Sequence, residues 1–139
     1  MSAVNIEKFG EFTQILTKDY RILYFKVDIA YPGPLQWTFF MNELNENLNV
    51  LKKLDCRFAF VLDLNKIGLI SSNYILEFVN VLKSESELLE SRLIASSIIY
   101  EGSLINKLFE IVKYFYETKK PIEFVTDMRK AIAFIESHE

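Results

Sequence analysis

A chain of 139 residues, half of them hydrophobic and with only four glycines and three prolines, has enough apolar material to build one packed domain without a disulfide or a metal. Its net charge of −3 argues against a general nucleic-acid binder, which needs clustered Lys and Arg to neutralise phosphates; Lys119-Lys120 and Arg129-Lys130 read as solvated surface. Cys56 is the single cysteine, so an internal disulfide is excluded, and its place before an apolar run makes it a strand-edge or core residue.

In chain order, Phe12–Leu16 alternates as a strand does, Lys18-Asp19-Tyr20 is a turn, and Ile22–Asp28 is a second strand, antiparallel to the first because the connection is short. Tyr31-Pro32-Gly33-Pro34 forms a loop, with Pro34 suited to a first helical turn. The helix is predicted over Leu35–Leu54, with Trp37, Phe40, Leu44, Leu48 and Leu51 as its apolar stripe. Phe58–Leu62, ending at Asp63, is a continuous apolar run of the kind that fills a central strand.

After the loop 65–72 a second helix begins near Asn73, with Ile75, Phe78, Val79 and Leu82 facing inward. It either ends at Ser84-Glu85-Ser86-Glu87 or continues through it. Leu93–Tyr100 is a further strand, and Ser103 is predicted to cap a helix carrying Leu104, Leu108, Ile111, Val112 and Phe115. Pro121–Val125 is a short last strand, and Asp127 caps a final helix with Met128, Ala131, Ile132 and Ile135 inside. The expected order is ββαβαβαβα, a single domain with four helices and a mostly parallel five-stranded sheet whose first strand is antiparallel.

In such a sheet, sites form beyond the carboxyl ends of the strands, which carry Tyr31–Pro34, 65–73, Gly102-Ser103 and Thr126-Asp127. No phosphate-binding glycine loop, zinc-ligand cluster or catalytic triad can be read there, and the only histidine, His138, lies beside the C-terminus. No catalytic residue, cofactor or metal is therefore expected. Asp28, Asp63 and Asp127 lie near strand ends; a magnesium-binding trio is one reading and cap or loop roles the other. The segment Ile70-Ser71-Ser72-Asn73 can likewise be a plain helix cap or a phosphorylatable site.

Two stretches resemble the STAS domain (sulfate transporter and anti-sigma antagonist). Phe60-Val61-Leu62-Asp63-Leu64-Asn65-Lys66-Ile67-Gly68-Leu69-Ile70-Ser71-Ser72-Asn73 is similar to that family's central strand and following loop. Ile122–Ile135 is similar to its closing strand and helix, and the likeness spans about residues 10–137. The resemblance implies a SpoIIAA-like α/β fold and a non-enzymatic regulator that binds a protein, with an anti-sigma-type kinase as the kind of partner. It places Ser72 at the family's phosphorylated position, with Ser71 where the family has Asp and Tyr74 where it has Gly. A related branch of STAS-like proteins lacks the phosphorylation loop.

The expected binding face comprises Asn65, Lys66, Ser71, Ser72, Asn73 and Tyr74, with Tyr31 and Trp37 contributing, although Trp37 also suits the core. A nucleotide or other small-ligand binder is an alternative, as is an assembly subunit or homodimer using an edge strand and Tyr114-Phe115-Tyr116. Residues 1–7 hold no apolar leader-like run and no stretch approaches the roughly 18 apolar residues of a membrane span, so a cytoplasmic location without membrane contact is expected.

Overall fold

The computed structural model describes residues 7–102 and 108–139. Its elements are β1 (Gly10–Leu16), β2 (Arg21–Val27), α1 (Pro34–Leu54), β3 (Phe58–Asp63), α2 (Ser72–Ser84), α3 (Ser86–Arg92), β4 (Leu93–Ile99), α4 (Phe109–Glu117), β5 (Ile122–Val125) and α5 (Met128–Ser137). All five strands lie in one sheet in sequence order. β1 runs antiparallel to β2, and β2 to β5 are mutually parallel.

Strand order dictates the layering. Successive right-handed crossovers that always step the same way leave α1, α2, α3 and α4 on one face of the sheet. Leu44, Leu48 and Leu51 of α1, Phe78, Val79 and Leu82 of α2, Leu88 and Leu89 of α3 and Phe115 of α4 accordingly share one core with Leu23, Phe25, Phe58 and Phe60. The opposite face is covered by α5, whose Ala131 and Ile135 are fully buried against Ile22, Ala59, Val61 and Ala95. β4, an inner strand of a sheet covered on both faces, is buried along its whole length.

The helix count is five, not four. Glu85 leaves helical geometry at φ −109, ψ 23, and its N–H bonds back to Val81 and Leu82, ending α2. The chain restarts as α3 because Leu88 and Leu89 must still reach the core. The polar run at 84–87 is thus a break between two helices, pinned by a Lys52–Glu85 ion pair at 3.0 Å. At the start of α1, Gly33 N–H donates to the Gln36 side chain at 2.7 Å and Pro34 takes the first helical position. Asp127 caps α5 by accepting from Lys130 N–H at 2.8 Å, and His138 closes the same helix with its ring against Phe134. The predicted Ser103 cap and Leu104 lie outside the described residues.

Candidate functional site

The carboxyl ends of the parallel strands are tied together by their loops. Leu64 N–H donates to the Ile99 carbonyl at 2.9 Å, Glu101 N–H to the Asn65 side-chain oxygen at 2.9 Å, and Gly68 N–H to the Ala30 carbonyl at 3.0 Å. The loop between β3 and α2 is therefore stapled to its neighbours on both sides. Gly68 has a steric reason as well: a Cβ there would lie 2.7 Å from the Tyr31 ring, so the absence of a side chain lets Tyr31 rest on the loop.

At the start of α2, Ser71 is the cap, its Oγ accepting from Asn73 N–H at 3.2 Å, and Ser72 is the first helical residue. Both serines are exposed. One turn later the Tyr74 ring stacks on the Trp37 indole, with centroids 4.5 Å apart and planes 7° from parallel. Trp37 Nε1–H donates to the Glu77 carboxylate. Behind this stack an aromatic column runs through Phe40, Phe9, Phe25 and Phe78 into the core. The stack is thus a rigid wall and not a pair of free surface rings.

Two adjoining shallow concavities share Tyr74 and Glu77. One is bounded by Tyr31, Pro32, Leu69 and Asn73, the other by Pro34, Trp37, Met41 and Asn80. Of the residues expected at a binding face, the structure brings Tyr31, Ser71, Asn73, Tyr74 and Trp37 together around Glu77. Asn65, Lys66 and Ser72 are exposed but line neither concavity, and Asn65 is occupied in stapling the loops. Trp37 is only 5% exposed, so it is the floor under Tyr74 and belongs to the core. Glu77 and Leu69 had no signal of their own. Glu77 lies three residues after Tyr74 and so shares its side of α2, but its bond to Trp37 joins residues 40 apart.

Asp28 and Asp63 both lie close enough to Tyr24 for their charges to act on it, and Asp127 does not join them. Asp127 is the α5 cap, Asp63 accepts from Asn65 N–H at 3.2 Å and from the Tyr24 hydroxyl at 3.5 Å, and among the described residues no group of three His, Cys, Asp or Glu side chains gathers as metal ligands would. Within the core, a cavity of about 50 Å³ lies between the sheet, α1, α2 and α4, and its wall offers no polar atom. Of the aromatic triplet in α4, Tyr114 and Phe115 are buried, and only Tyr116 reaches the surface. Cys56 is half-buried against the main core as a free thiol. Among the described residues no helix is long and apolar enough to cross a membrane.

No protein-family model matches the chain, and no curated protein matches it. Among solved structures it is similar to an uncharacterized protein of the DUF3478 family with a SpoIIAA-like fold from Shewanella loihica PV-4. The TM-score is 0.66 at 13% identity, and the match covers 97% of this chain and 99% of that one. The architecture is thus that of a SpoIIAA-like, STAS-like α/β domain. The first strand antiparallel to the second, the four parallel strands that follow and the long alignment all agree with that fold, and at this identity the likeness concerns the fold alone.

Proposed function

We propose that this chain is a non-enzymatic protein-interaction module that regulates a partner by binding it through the loop and helix after β3. The observation that carries the reading is the grouping of exposed apolar side chains on a stiff base. Tyr31 is 68% and Leu69 57% exposed, and they flank the half-buried Tyr74 on its Trp37 wall. Rigid aromatics at the centre of a patch lose little conformational freedom on binding, which is why they dominate protein interfaces.

Ser71 and Ser72 stand at the rim of this face. A phosphate on either would lie at the N-terminus of α2, where the helix dipole tolerates it, and would change the local charge by about −2. A kinase of the anti-sigma type, able both to bind the face and to modify it, is the kind of partner this arrangement suits. The test is capture of partners from native extract by the tagged chain, with phosphosites read by mass spectrometry. Tyr31→Ala or Leu69→Ser should release the partner without lowering the melting temperature. Retention by both variants would remove the face from consideration. Ser72→Asp should weaken capture and Ser72→Ala should not; equal capture by the two would remove the switch.

A second reading rests on α4. Phe109 and Tyr116 are 58% and 80% exposed and, seven residues apart, share one side of the helix. Self-association through that side would show as a concentration-dependent mass in light scattering, abolished by Tyr116→Ser.

A further inference from the structure

We infer that the partner presents an arginine, in an extended segment, to the junction of the two concavities at Tyr74 and Glu77. The inference rests on the binding face proposed above and adds the chemistry of what that face reads.

Charge comes first. Of the residues bounding the two concavities, Glu77 is the only one that carries charge; the others are apolar, aromatic, hydroxyl or amide side chains. Among the described residues no Lys or Arg of the chain forms an ion pair with it, although five other carboxylates are so paired. The carboxylate is also held in place. Its bond from the Trp37 indole N–H fixes one oxygen and presents the group beside the aromatic wall. A carboxylate fixed in orientation and free of a cation within the chain suits a bidentate donor better than a mobile one.

The ring decides between the two basic side chains. One face of Tyr74 is occupied by Trp37, with planes nearly parallel, which leaves the other face to the shared groove. A planar guanidinium can lie over that face while its fork reaches the adjacent carboxylate. An ammonium makes only a point contact and gives up more hydration to do so. The amides of Asn42, Asn73 and Asn80 line the same groove, and they match the unpaired backbone N–H and C=O groups of an extended strand or polyproline segment, which a helix would not offer.

The experiment uses the full chain and a short acetylated peptide, Ala-Pro-Arg-Pro-Ala amide, beside the same peptide with citrulline, which keeps the shape and removes the charge. Trp37 is the single tryptophan, so its indole N–H gives one assignable signal in a nitrogen-15 correlation spectrum. The arginine peptide should shift that signal, and the citrulline peptide should bind about tenfold more weakly. Glu77→Gln should weaken the arginine peptide by a similar factor. Gln can still accept from the indole, so an unmoved signal in the free variant shows that the wall is intact. An unperturbed indole signal, or equal shifts with both peptides, overturns the inference.

Capture of the native partner separates the two claims. Loss of capture with both Tyr31→Ala and Glu77→Gln supports both. Loss with Tyr31→Ala alone overturns the arginine and leaves the face. Retention by both variants overturns the face and the arginine together.

Discussion

Tyr74→Ala tests whether the candidate site is built on the core or merely laid over it. Tyr74 is half-buried, and its ring covers Trp37. An aromatic side chain typically buries 150–250 Å², so about 100 Å² of apolar contact would be lost, equivalent to about 2.5 kcal/mol at about 25 cal/mol per Å². Loss of the parallel stack adds roughly 0.5–1.5 kcal/mol, giving a total of about 3–4 kcal/mol. Unfolding entropy of about 2.1 cal/mol/K per residue over the 139 residues is about 0.29 kcal/mol/K, so the melting temperature should fall by about 10–14 °C. The single tryptophan reports the local change directly: its emission should move to longer wavelength and its quenching by acrylamide should increase. A melting temperature within about 2 °C of the parent, together with unchanged emission, would show that Tyr74 does not roof Trp37 and would undo the account of the site as a rigid wall. The expected loss of stability also makes Tyr74→Ala a poor probe of binding, for which the exposed Tyr31 and Leu69 are the cleaner choices.

Leu82 is fully buried where α2 meets the main core, and Leu82→Ala should cost about 2–5 kcal/mol, read as a lower denaturation midpoint at unchanged slope. Ser96 is 1% exposed and its hydroxyl has no hydrogen-bond partner among the described residues; Ser96→Ala should therefore raise the melting temperature by about 3 °C or more, and a loss of stability would reveal a partner for that hydroxyl. Burial, as the largest cause, raises the phenol pKa values of Tyr20, Tyr24 and Tyr114, with Glu136 and Glu139, Asp63 and Asp28, and Glu90 respectively adding to the effect. The unfolded chain then loses these protons first, so the stability they contribute is complete below about pH 10 and is lost as the pH rises through the higher folded values. Denaturant midpoints should fall steadily above about pH 10 and fall less in Tyr24→Phe; a flat profile there would contradict the burial of these rings.

Much of the fold is written locally. The apolar stripe Trp37, Phe40, Leu44, Leu48 and Leu51 has helical spacing, Phe58–Leu62 is too short and too uniformly apolar to be anything but an inner strand, and Asp127 stands where a cap is needed. Each of these patterns repeats over a few residues, so the physics that produces it is visible in a few residues. The α2–α3 break was ambiguous for the same reason. A run such as Ser84–Glu87 fits a helix end and a helix surface equally well, and only the need to bury Leu88 and Leu89 against the sheet decides it.

The sequence by itself determined the five strands, their order, the antiparallel first strand and all the helices but α3, because strand and helix periodicity and crossover handedness are local or topological rules. Tertiary structure alone decided which side chains meet at the candidate site. Trp37 lies on an apolar stripe, Tyr74 at a helix start and Glu77 on a polar face, and each has an ordinary local explanation. Their stack and hydrogen bond arise only when α1 and α2 pack on the same side of the sheet and bring residues about 40 positions apart into contact. Pairings between distant residues are fixed by packing, and no periodicity along the chain encodes them.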